Sequence, residues 1–91
     1  MRVLKRPDEQ YLIDTYIDPD WESDPYGRAG ARLQKSGVSV WAVVAFMRVY
    51  DNDLEKVADH FPITRDEVEA ALAYYRRNRK YVDARITLNE A

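Results

Sequence analysis

The chain has 91 residues, 46% hydrophobic and 33% charged, with 14 basic against 16 acidic side chains and a net charge of −2. That length holds one core, the balance is that of a folding globular chain rather than a disordered or collagen-like one, and the net charge supplies no general attraction for nucleic acid. Cysteine is absent, which excludes disulfides, cysteine-based zinc sites and thiol nucleophiles.

In chain order, Met1 to Gln10 mixes Lys5 and Arg6 with Asp8 and Glu9 and lacks the apolar stretch of a signal peptide, so a cytoplasmic location is expected. From Asp8 to Ile17, the apolar residues Leu12, Ile13, Tyr16 and Ile17 recur at helical spacing, with Gln10 and Asp14 opposite them, and predict a short amphipathic helix. Pro19 ends it. Residues 18–32 then hold two prolines, two glycines and the alternating acids Asp18, Asp20, Glu22 and Asp24 around Trp21, which reads as a loop docking through that tryptophan. Lys35-Ser36-Gly37 is a turn between two very short extended pieces, 32–34 and 38–40, so a very short β-hairpin is expected there.

Val40 to Met47 is an apolar run of eight residues, far below the roughly twenty of a membrane-spanning helix, so no membrane partner is expected. As a helix it has no face left for water. It is therefore central or shared with a second subunit, and a homodimer is the expectation. Asn52 and Glu55 have the spacing of a capping box opening a short helix from Asp53 to about His60. Phe61-Pro62-Ile63 is a turn. Thr64-x-x-Glu67 is a second capping box, directly ahead of Val68, Ala71, Leu72 and Tyr75 on one helical stripe. This helix persists, or restarts at Asn78, toward the C-terminus.

Short helix, tight turn and longer helix from Asp53 to Tyr75 have the patterning of a helix-turn-helix, which the apolar helix before them completes as a trihelical core. Two short helices in a plain packing unit give the same pattern. The fold class is thus mainly α, with residues 1–36 an N-terminal helix and loop extension and residues 37–91 the helix-turn-helix domain.

Charge is unevenly spread: −1 over residues 1–36, −4 over 37–70 and +3 over 71–91. Arg76, Arg77, Arg79 and Lys80, joined by Arg65, are the candidate DNA-contacting residues, through phosphate or a base edge. Asp66, Glu67 and Glu69 open the same helix and repel phosphate. Seven tyrosines, two tryptophans and two phenylalanines exceed what a small core hides. Trp21, Trp41, Tyr74, Tyr81 and Arg85 are the candidate partner interface, tyrosine with arginine being hot-spot composition. The single histidine, His60, lacks the neighbours of a metal or catalytic site and suits a helix C-terminus. Asp51-Asn52-Asp53 begins like a calcium loop, but Lys56 and Pro62 stand where glycine and glutamate are required. The serines Ser23, Ser36 and Ser39 have no glycine elbow. No catalysis, cofactor, metal or small-molecule substrate is expected.

Four blocks, Gly37-Val38-Ser39-Val40-Trp41-Ala42-Val43-Val44, Val57-Ala58-Asp59-His60-Phe61-Pro62-Ile63-Thr64, Glu67-Val68-Glu69-Ala70-Ala71-Leu72-Ala73-Tyr74-Tyr75 and Val82-Asp83-Ala84-Arg85-Ile86, closely resemble the bacterial family known as domain of unknown function number 433. The resemblance covers about Arg32 to Ile86; residues 1–31 match one branch through the Pro25-Tyr26-Gly27-Arg28 loop. Lys35-Ser36-Gly37 departs from the family's commoner Gly-Thr-Arg turn. The resemblance implies a helix-turn-helix fold related to antitoxins, and an antitoxin-like adaptor that neutralises a PIN-like ribonuclease and regulates its own operon. A free-standing dimeric transcription regulator and a purely structural module are the alternatives.

Overall fold

The computed structural model describes residues 8–18 and 27–90, in which five α-helices and one short 3-10 turn form a mainly helical domain. Helix α1 (Glu9–Tyr16) starts at Asp8, whose carboxylate accepts the Tyr11 amide at 2.8 Å, one of the donors a helix start leaves unpaired. Its apolar side buries Leu12. After the 3-10 turn Gly27–Gly30, single antiparallel bridges join Ile17 to Leu33 and Arg32 to Ser39. Gly37, in the left-handed region at φ 76°, donates its amide to the Leu33 carbonyl. The expected hairpin is thus reduced to one bridge, and Val40 is not extended. It opens helix α2 (Val40–Val49), because Val40, Val43, Val44 and Met47 share a face that the core buries.

Asp51 and Asn52 turn the chain at φ 54° and 64°, a conformation that these two residue types tolerate better than most. The expected Asn52–Glu55 capping box does not form. Asn52 lies in the turn, and Asp53 caps α3 (Leu54–His60), accepting the amides of Glu55 at 3.0 Å and Lys56 at 3.2 Å. The Thr64–Glu67 box does form at the start of α4 (Arg65–Arg77): the Thr64 hydroxyl accepts the Glu67 amide at 3.1 Å, and the Thr64 amide donates to the Glu67 carboxylate at 2.8 Å. These bonds account for the burial of Glu67, a charge otherwise costly to hide.

Asn78 separates α4 from α5 (Arg79–Glu90). Its amide and its side chain both donate to the Tyr74 carbonyl, at 3.0 Å each, while its own carbonyl accepts the amides of Tyr81 and Val82. One residue ends one helix and starts the next.

Helix α4 is the axis, with α1 against one side and α2 against another, while α5 lies on α2 and on the 3-10 turn. Helix α2 buries Val40, Val43, Val44 and Met47, while its outer residues Trp41, Ala42, Ala45 and Phe46 are half-buried and Val49 is open to solvent, so the helix is not enclosed on every side within one chain. No helix among the described residues is long and apolar enough to cross a membrane.

Leu33 is fully buried where the bridges meet the core. Leu33→Ala should destabilise the fold by about 2–5 kcal/mol, a transfer loss plus a cavity, read as a lower urea midpoint at unchanged slope.

Candidate functional site

The basic run predicted around residues 76–80 sits at the elbow between α4 and α5. Arginines in the last turn of α4 also favour its negative dipole end, so they support the helix that displays them. The four basic residues are all exposed, but their engagements differ. Arg76 Nε donates to Glu9 Oε2 of α1, and Arg77 donates to Gln10 Oε1 and lies 3.4 Å from Glu9 Oε1. Arg79 instead lies over the Tyr75 ring, 5.0 Å from its centre, and Lys80 points to solvent. Arg76 and Arg77 therefore do not stand ready for phosphate as the sequence suggested; they hold down α1.

Arg65, at the other end of α4, is bracketed by Glu55 at 3.1 Å and Glu69 at 3.4 Å, with Asp66 exposed beside it. Two carboxylates offset its charge, so the first turn of α4 presents an acidic surface. At the same end Tyr16 directs its hydroxyl to Asp66 at 3.5 Å, and burial followed by the Asp66 charge holds that phenol above its ordinary pKa. Contacts of Glu9 with Arg76 and of Tyr16 with Asp66 make α1 antiparallel to α4.

The expected partner interface divides. Trp21 lies outside the described residues. Tyr74 is 6% exposed and donates its hydroxyl to the Arg28 carbonyl at 2.8 Å, so it is a core residue rather than an interface one. Burial raises its pKa accordingly. Ala70, one turn before Tyr74 on α4, is buried as well, whereas Arg77 and Tyr81 are exposed. Half-buried Trp41 carries the Arg85 guanidinium 5.3 Å from its ring centre, and exposed Tyr81 carries that of Arg28 at 5.4 Å. These cation–π pairs line the face that α5 shares with α2 and the 3-10 turn.

Three groups of contacts were not legible in the sequence. Glu9 and Gln10 stand 67 residues from their arginine partners, beyond any local spacing. Asp83 accepts from Tyr75 at 2.9 Å and from Arg48 at 3.0 Å, tying α2, α4 and α5 together. His60 does end α3, but it also stacks on Phe46 at 4.2 Å between ring centres, with Tyr50 Oη 3.2 Å from its Nδ1 and Phe61 edge-on. That aromatic cluster is held by its own members.

A groove of about 370 Å³ where α1 meets the start of α4 is lined by Thr15, Tyr16, Gln34, Lys35, Thr64 and Glu67, and its carboxylate is already engaged in the cap. Among the described residues no group of three or more histidines, aspartates and glutamates is placed to hold a metal ion. No family model, curated protein or solved structure matches this chain.

The hydrogen bond from Arg76 holds the Glu9 carboxyl below its ordinary value of 4.5, against some desolvation and with help from the charges of Arg76 and Arg77. A lowered folded-state pKa gives stability that is present above pH 4.5 and lost as pH falls through the folded value. The attachment of α1 to α4 should therefore loosen below pH 4.5, and Glu9→Gln should flatten that part of the pH–stability curve. Denaturant unfolding of both proteins across the acid range checks this.

Proposed function

We propose that the chain is an antitoxin-like adaptor that binds an acidic protein partner through the elbow between α4 and α5. One observation carries this reading: Arg79 and Lys80 are displayed at one end of the domain, beside Arg76 and Arg77 that Glu9 and Gln10 engage, while the other end of α4 is acidic. Guanidinium and ammonium groups clustered on a protein of net charge −2 select an anionic patch locally without attracting polyanions generally. The resemblance to the family supplies the partner's class, a PIN-like ribonuclease with metal-binding carboxylates at its active site, which an arginine of the elbow would enter and silence.

Operator binding is the second reading, favoured by α2, α3 and α4 succeeding one another with a tight turn between the last two. On this surface it places phosphate at Arg79 and Lys80 rather than at Arg65, whose charge Glu55 and Glu69 offset. A second copy of the chain fits the outer stripe of α2, where Ala42, Ala45, Phe46 and Val49 follow at helical spacing. Light scattering at micromolar concentration should give twice the monomer mass, and the monomer mass would remove the dimer.

Arg79→Ala with Lys80→Ala should weaken inhibition of a PIN-like ribonuclease that this chain silences by about tenfold while leaving helical content unchanged. Loss of operator binding with inhibition intact selects the regulator, with a salt slope lower by about two for two phosphate contacts. If neither measurement moves, the elbow is a solvated surface and the adaptor reading falls.

A further inference from the structure

The two arginines that the elbow does not present freely show what kind of group they take. Arg76 and Arg77 converge on the single carboxylate of Glu9, with Gln10 adding a carbonyl oxygen to Arg77. Two guanidinium groups on one carboxylate make a charge-assisted oxyanion site, here filled by a carboxylate. Both remain about half exposed, at 51% and 43% of their side-chain surface, as does much of Glu9 at 35%, so the site is reachable from solvent.

The two ends of α1 are held by different means. Its C-terminal end is stitched by backbone bonds: the Gln34 amide donates to the Tyr16 carbonyl and the Asp18 amide to the Arg32 carbonyl, each at 2.8 Å, and Ile17 is bridged to Leu33 and buried. Its first turn has Glu9 and Gln10 as its polar ties to α4. An eight-residue helix is too short to persist without tertiary support, so the end held by exposed ion pairs opens first.

We propose that Arg76 and Arg77 form a binding site for a carboxylate-rich segment of a partner protein, and that Glu9 occupies it as an intramolecular stand-in which the partner displaces. This rests on the elbow being the partner surface and extends it: four basic residues bind, two of them only after the first turn of α1 lifts. The exchange replaces one carboxylate by another on the same guanidinium pair, so the stand-in sets a threshold that weak or sparse acids do not pass. Ile17, bridged and buried, keeps the far end of α1 in place while that turn opens.

Anisotropy of a fluorescent oligoglutamate peptide at low ionic strength tests this. Glu9→Gln should tighten binding by about two- to fivefold, the worth of an exposed ion pair. Asp59→Asn, an equal charge change on exposed α3, should not match that gain, and Arg76→Ala with Arg77→Ala should abolish it. If Asp59→Asn matches Glu9→Gln, the gain is net charge and the stand-in is overturned. If Arg79→Ala with Lys80→Ala weakens the peptide while Glu9→Gln does nothing, the elbow surface stands and the stand-in falls. If no variant changes peptide binding, both fall. Duplex DNA of equal charge showing the same gain would assign the site to phosphate and overturn the carboxylate assignment. Independently, saturating peptide should speed hydrogen exchange at the Leu12 amide, which bonds to the Asp8 carbonyl at 3.1 Å; unchanged protection there would overturn the displacement.

Discussion

Everything else in the domain depends on α4 being buried on more than one side within thirteen residues. Val68, Ala70, Ala71 and Ala73 are all fully buried, with Tyr74 nearly so. Three alanines among them let the neighbouring backbones come close without cavities, where larger side chains would force the helices apart. With α1 on one flank and α2 on another, little of α4 except its ends is left for polar groups. The acids collect at the start and the arginines at the finish, the order that its own dipole favours. Stability of the central helix and polarity of the protein surface thus draw on the same residues, and the charges cannot all be credited to a partner.

The helical elements were legible where local chemistry admits one solution. Thr64 and Glu67 could only serve as a capping box, because an apolar stripe begins immediately after them and both reciprocal bonds close within one turn. Asn52 and Glu55 offered the same spacing and misled by one residue, since Asp53 competes for the cap and Asn52 is better suited to a left-handed turn than its neighbours. The hairpin shrank to a bridge because Val40 packs its side chain into the core as a helical residue, leaving too few residues for strands.

The functional surface was legible in composition but not in availability. Counting charges located the basic elbow, since the last twenty-one residues carry +3. Nothing in a local window shows that Arg76 is taken by Glu9, that Arg65 is shared by two glutamates, or that Tyr74 turns inward to the Arg28 carbonyl. Such pairings follow from the antiparallel course of α1 along α4, which is a property of the packed chain. The aromatic surplus divided on the same grounds: some rings fill the core, some carry guanidinium groups, and Phe46, Tyr50, His60 and Phe61 cover one another.

Asn78 has a consequence for how this chain can vary. Because a single residue closes α4 and opens α5, there is no slack in the connection to absorb a change of length. One added residue would rotate α5 by about 100° about its axis. Val82 and Ile86 would swing out of the core, and Asp83 would leave Tyr75 and Arg48. The joint therefore tolerates exchange of side chains around it far better than insertion or deletion, and the spacing between the two arginines that end α4 and the Arg79-Lys80 pair that begins α5 is locked to the packing of the core.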